Sequence, residues 1–192
     1  MQIFHSLHDP ELVALLKSDA IGVLPTDTLY GVVARAASPT AVEKLYALKH
    51  REKKPGTTIA ATAEQLIELG IDSEMVHNVS QYWPASLSIV MPLGSELEYL
   101  HQGVGESPFR VVADESLQML LRQTGPLMTS SANLPGEPPA QDVAEAQAYF
   151  GEHVDFYVDG GFIGDRQPST IAKYDNGKLT ILRQGAVQIK EK

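Results

Sequence analysis

The chain contains no cysteine. That excludes disulfides, thiolate catalysis and cysteine-ligated zinc together, and it fits a reducing compartment such as the cytoplasm. Long apolar runs are missing as well: none approaches the roughly 18 residues of a membrane span. Residues 1–9 lack the pattern of a signal peptide. A soluble, cytoplasmic protein with no membrane partner is the expectation. Basic charge is scarce, with 15 Lys and Arg against 24 Asp and Glu and a net charge of −9. This argues against indiscriminate nucleic-acid binding, because neutralising phosphates needs a dense basic face. Also absent are a G-x-x-x-x-G-K-[ST] phosphate loop, a G-x-G-x-x-G after a strand, H-E-x-x-H and G-x-S-x-G. The six histidines are scattered, so no histidine-rich metal site is expected. Any nucleotide site here has to be built another way.

What is present is a chain of 192 residues, 43% apolar and 20% charged, long enough to bury its own core. Its organising stretch is Pro25-Thr26-Asp27-Thr28-Leu29-Tyr30-Gly31. This follows a short apolar run at 20–24 that reads as a buried strand. Two accounts of the stretch stand side by side. One is a polar turn capped by Thr26 or Asp27; the other is a strand end that meets a small ligand.

Around it, caps and periodicity predict helices over 9–18, from Ser38 to about 48, and over 62–70, 73–83, 114–125 and 142–150. Short apolar runs predict strands over 57–61, 87–91, 109–113, 126–129 and 154–158. Residues 169–174 and 178–183 flank Asp175-Asn176-Gly177, a strong hairpin signal. The region 92–108 reads as irregular. Together these imply one α/β domain over residues 1–192 with a mixed sheet.

Polar side chains gather at predicted strand ends and loops: Thr26 to Thr28, Lys49 to Arg51, Arg110, Thr129 to Asn133, Ser169-Thr170 and Arg183. Guanidinium groups take carboxylates and phosphates, and hydroxyls orient neutral or anionic ligands. Each segment also has a plain structural account. Arg110 alternates along a strand and can point to water, 129–133 can be a turn and cap, and the cations at 49–54 can complete a helix end. Jointly they suit convergence on one anionic ligand.

In order along the chain, P-T-D-T-L-Y-G at 25–31, K-H-R at 49–51, Y-W-P-A-S-L-S-I-V at 82–90 and F-R-V at 109–111 continue into T-S-S-A-N at 129–133, S-T-I at 169–171 and I-L-R-Q-G-A at 181–186. With these the chain resembles the YrdC-like domain of threonylcarbamoyl-AMP synthases, over nearly its whole length. The resemblance implies a twisted mixed α/β sheet with flanking helices around a concave, positively charged cavity. It implies a nucleotidyltransferase that makes threonylcarbamoyl-AMP and pyrophosphate from L-threonine, bicarbonate and ATP, with Mg²⁺. The product would feed threonylcarbamoyladenosine modification of tRNA through a separate downstream transferase complex.

Residue by residue, the resemblance places Thr28, Arg110, Thr129 and Ser169 at threonine-binding positions, and Arg51, Ser131 and Arg183 at ATP-binding positions. Lys49 and Asn133 complete the K-x-R and S-x-N signatures that face the nucleotide. Lys49 and Arg51 are the expected catalytic pair, and Asp27 is expected to hold the loop or orient a basic partner. Longer relatives carry a second C-terminal domain, so this sequence is expected to be the short, single-domain form. The sequence departs from the family pattern at Val112-Ala113, at Glu52, at Pro55-Gly56, at Pro139 and near Ala60. Two rival expectations remain. One is a paralogue of the same fold that binds double-stranded RNA or nucleotide without synthesis, and the other is a structural subunit of the tRNA-modifying assembly.

Overall fold

The computed structural model describes residues 1–50, 53–164, 166–175 and 177–189. Arg51, Glu52 and Asn176, singled out in the sequence, therefore lie outside the described residues.

Side-chain caps start nearly all the helices. Asp9 caps α1 (Pro10–Lys17), Ser38 caps α2 (Pro39–Leu48), Thr62 caps α3 (Ala63–Glu68) and Asp72 caps α4 (Ser73–Ser80). The short α5 (Glu98–His101) has no such cap, whereas Asp114 and Asp142 open α6 (Glu115–Thr124) and α7 (Val143–Phe150). Each capping oxygen accepts a backbone N–H of the first turn that has no partner within the helix. The predicted helix over 73–83 ends earlier, at Ser80. There Tyr82 N–H and Trp83 N–H turn to Val79 O and Ser80 O, tightening the chain before Pro84.

The strands are β1 (Gln2–Phe4), β2 (Gly22–Pro25), β3 (Tyr30–Arg35), β4 (Thr57–Ala60) and β5 (Leu87–Pro92), followed by β6 (Glu106–Val111), β7 (Leu127–Ser131), β8 (Phe156–Val158), β9 (Thr170–Asp175) and β10 (Lys178–Arg183). They form one mixed sheet in the order β1-β8-β2-β3-β7-β4-β6-β5-β9-β10. Two strands were not anticipated. β1 is three residues long with only Phe4 buried, too little for any periodicity to show. β3 pairs antiparallel with β2, Pro25 opposite Tyr30, so the organising stretch is a tight hairpin rather than a strand running into an open loop. The region 92–108, expected to be irregular, contains α5 and the first residues of β6.

Strand alternation gives the sheet two faces. One packs under α2, α3, α4, α5 and α7 through Val23, Val32, Ala60, Ile89, Phe109 and Met128. The other packs under α1 and α6 through Val33, Ile59, Val112 and Leu127. Two residues along from these on the same face stand Gly31, Thr57, Arg110 and Thr129, where the side chains turn polar. The second face thus begins as core and continues as a cavity.

Candidate functional site

The cavity has a volume of about 520 Å³. Pocket volumes of ~300–1,000 Å³ are usual for small ligands. Thr28, Arg110, Thr129, Ser131, Ser169 and Arg183, all sequence candidates, line it. Lys49 and Asn133 instead line an adjoining cavity of about 440 Å³, together with His50 and Lys54. Ser130 and Ser131 belong to both, so the T-S-S-A-N segment is the shared wall. Arg51, the remaining candidate, lies outside the described residues.

The hairpin turn closes on its own side chains. Thr26 Oγ1 donates to Leu29 O at 2.7 Å and accepts from Thr28 N at 3.2 Å, with Thr28 Oγ1 at 3.2 Å. This compact turn leaves the Asp27 carboxylate to reach other strands. Its Oδ1 accepts from Arg110 Nη2 at 2.7 Å and its Oδ2 from Ser86 Oγ at 3.1 Å. Arg110 Nη1 donates to Ser88 Oγ at 3.1 Å, and Ser88 Oγ donates to Ser169 Oγ at 3.0 Å. Arg183 Nη2 donates to Ser169 O at 2.8 Å. Two guanidinium groups are therefore tied into one network from β2 to β10. Burial, and then the positive charge of Arg110, lower the Arg183 pKa from its ordinary value. Arg110 is only 2% exposed, so the expectation that its alternation can point it to water fails; the face it points to is the cavity.

Gly31 lets this wall form, since a Cβ there would collide with Thr129 Oγ1. On the far side, Lys49 at the end of α2 donates to Ser131 O at 2.7 Å, to Asn133 O, and to Asn133 Oδ1 at 3.0 Å. Its ammonium lies 5.7 Å from the centre of the Phe150 ring. Ser131 Oγ also donates to Asn133 Oδ1 at 2.7 Å, so the K-x-R and S-x-N signatures meet at this one asparagine.

Sequence reasoning missed several lining residues. Residues 159–169 join β8 to β9, which in the sheet are separated by β2, β3, β7, β4, β6 and β5. At ~4.8 Å per strand a flat sheet would set β8 and β9 roughly 34 Å apart, so this connection has to run as a strap across the strand ends. Ile163, Gly164, Arg166, Gln167 and Pro168 of the strap border the cavity. Tyr30 Oη fastens one end, donating to Gly161 O at 2.8 Å and accepting from Gly160 N at 2.9 Å. Ala186 N fastens the other by donating to Pro168 O at 2.9 Å. Nothing periodic marks the strap in the sequence. Ser88 did carry a signal: it is a lone hydroxyl within Leu87-Ser88-Ile89-Val90, on the opposite side from Leu87 and Ile89. Of the departures from the family pattern, Pro55, Gly56 and Pro139 line the cavity, whereas Ala60 and Val112 are core residues; Thr57 is the β4 residue at the cavity.

Residues 14–185 match the Sua5/YciO/YrdC family model, whose description reads "Telomere recombination". The chain belongs to the Sua5/YciO/YrdC family. It is 34% identical over 182 residues to the threonylcarbamoyl-AMP synthase of Photobacterium profundum, an alignment covering 91% of this chain and 97% of that protein. Family structures share the fold. Sua5 of P. abyssi, solved as a complex with L-threonine, superposes with a TM-score of 0.83 at 23% identity, covering 96% of this chain and 58% of that one. The present chain thus spans less than two thirds of that Sua5. YciO of E. coli superposes with a TM-score of 0.80 at 19% identity, covering 98% of this chain and 97% of that one. Among the described residues no helix is long and apolar enough to cross a membrane.

Proposed function

We propose that the protein is an L-threonylcarbamoyladenylate synthase, a nucleotidyltransferase acting in the cytoplasm for threonylcarbamoyladenosine modification of tRNA. The observation that carries this is the convergence of four threonine-matched and two ATP-matched side chains on one cavity of about 520 Å³. The synthase relative at 34% identity supports reading that cavity as the place of synthesis.

In this reading the L-threonine amine attacks bicarbonate and water leaves, and an oxygen of the resulting carbamate then attacks the α-phosphate of ATP as pyrophosphate leaves. The step needs alignment and charge neutralisation more than a general base. Thr28, Arg110, Thr129 and Ser169 hold threonine, with Arg110 anchoring its carboxylate. Ser131, Asn133, Arg183 and Arg51 hold ATP, and Lys49 with Arg51 supplies positive charge at the phosphates. Among the described residues no three His, Cys, Asp or Glu side chains cluster as a metal site. Mg²⁺ would enter with the ATP substrate, held by its phosphates. The adenylate would pass to a separate threonylcarbamoyl transferase complex that acts on tRNA.

The test is incubation of the purified protein with labelled L-threonine, ATP, Mg²⁺ and bicarbonate. Pyrophosphate release that requires both threonine and bicarbonate is expected. Double-stranded RNA binding without any such release would replace this reading with a binding-only one.

A further inference from the structure

Asp27 is a buried carboxylate that is not itself among the assigned binding positions, although it sits in the organising hairpin. We propose that Asp27 is a positioning residue that fixes the Arg110 guanidinium so that its remaining N–H groups meet the carboxylate of the amino-acid substrate. The inference rests on the assignment of Arg110 to threonine.

Both partners of the ion pair are sealed from water, at 3% side-chain exposure for Arg110 and 5% for Asp27, and they meet at 2.7 Å. Both Asp27 oxygens are engaged, one by Arg110 and the other by Ser86. Because the Thr26–Leu29 turn is closed by its own hydroxyl, the carboxylate is held from the chain side too. A guanidinium carries five N–H donors in one plane, so fixing two of its nitrogens fixes the direction of the rest. Asp27 takes Nη2 and Ser88 takes Nη1. Arg110 Nε is buried and has no hydrogen-bond partner among the described residues. A buried donor without an acceptor is costly, and a planar carboxylate is the ligand whose two oxygens best match adjacent guanidinium N–H groups. The unmatched nitrogen belongs to a side chain that lines the cavity. Ser169, matched to the same substrate, is one hydrogen bond beyond Ser88.

A plain ion pair joining the hairpin to β6 would give the same distances but a different ligand response. Calorimetric binding of L-threonine and of L-threoninamide, whose carboxylate is replaced by a neutral amide, separates the two. With Asp27→Asn, L-threonine affinity should fall at least about tenfold while threoninamide affinity changes less than about twofold, because only the carboxylate depends on the aligned guanidinium. Ser86→Ala keeps the charges and loses one hydrogen bond, so a threonine-selective loss of about two- to fivefold is expected. If Asp27→Asn does not fold, Ser86→Ala decides alone. An equal loss for both ligands, no loss for either, or a wild-type protein that binds no L-threonine overturns the proposal. Wild-type protein that binds L-threonine and shows the Asp27 effect, yet releases no pyrophosphate, supports Asp27 positioning while overturning the synthase assignment.

Discussion

Two cations are buried at opposite ends of the site, Arg110 at 2% exposure and Lys49 at 5%, and the protein holds them by different means. Arg110 is gripped by side chains from the β2–β3 turn and from β5: a carboxylate on one nitrogen and a hydroxyl on another. Lys49 donates to the main-chain carbonyls of Ser131 and Asn133, and to the Asn133 amide oxygen, over the face of Phe150. A carboxylate can set the orientation of a planar guanidinium, whereas a compact ammonium gathers carbonyls and so shapes a loop. The first arrangement prepares a side chain to meet ligand. The second prepares the T-S-S-A-N wall.

The comparison breaks most visibly at Arg110. Replacing it with Met keeps the length of the side chain but leaves Asp27 charged and buried without its partner. A loss of about 3–5 kcal/mol of folding stability is expected. Denaturant unfolding measures it, and adding Asp27→Asn to Arg110→Met should recover a large part. A single-variant loss well under about 1 kcal/mol would mean that water reaches the pair. Lys49→Met should cost less, about 1.5–3 kcal/mol for hydrogen bonds made by a charged group. Its kinetic signature should also differ: a larger rise in KM for ATP than for threonine, because Ser131 and Asn133 lose their hold. Equal rises would make the two ends of the site one unit.

The contrast also marks how far the sequence could be read. The helices were legible because their caps are local: Asp9, Ser38, Asp114 and Asp142 each bond within three residues. The lysine end was half legible, since Ser131 and Asn133 lie together in one segment, but Lys49 is 82 residues from Ser131. The pairing of Asp27 with Arg110 spans 83 residues, and β7 and β4 lie between β3 and β6 in a sheet whose order no local signal encodes. No strand is expected over 30–35 because Thr-Asp-Thr before it has turn chemistry; the hairpin bears out the turn account of the stretch. Its residues form a turn, and the same turn is one wall of the cavity. The strap escaped altogether, because its path is set by where β8 and β9 fall in the sheet rather than by its own residues.

That strap gives a third, weaker way of holding a wall, one phenol bridging Gly160 and Gly161. Tyr30→Phe should cost about 1 kcal/mol, the net worth of one or two neutral hydrogen bonds. The alkaline limb of stability should change with it. Burial raises the Tyr30 pKa above its ordinary value of 10.0, so the folded state holds this proton more tightly than the unfolded chain does. The stability tied to it is complete below the unfolded value and declines as pH rises past it. Chemical denaturation of wild type and Tyr30→Phe near pH 7 and above pH 10 should show the difference between them shrinking at the higher pH.

The smallest effect on folding and the most informative on function belongs to Arg166. It lines the same cavity as Arg110 and Arg183 but is exposed, and it makes no hydrogen bond or ion pair with any described residue. Its charge still reaches the Tyr30 phenol, which it favours in the ionised form. Arg110 and Arg183 are each held in place by protein acceptors, whereas no described residue holds Arg166 in that way. Arg166→Ala should therefore leave stability within about 0.5 kcal/mol of wild type, as exposed substitutions usually do. It should raise KM for ATP several-fold and flatten the salt dependence of that KM, because a strap guanidinium in solvent acts through screened charge. If Arg166→Ala altered neither KM nor salt dependence, substrate charge would be met by the two tethered arginines and the basic wall at Lys49, and the strap would serve only to close the cavity's edge.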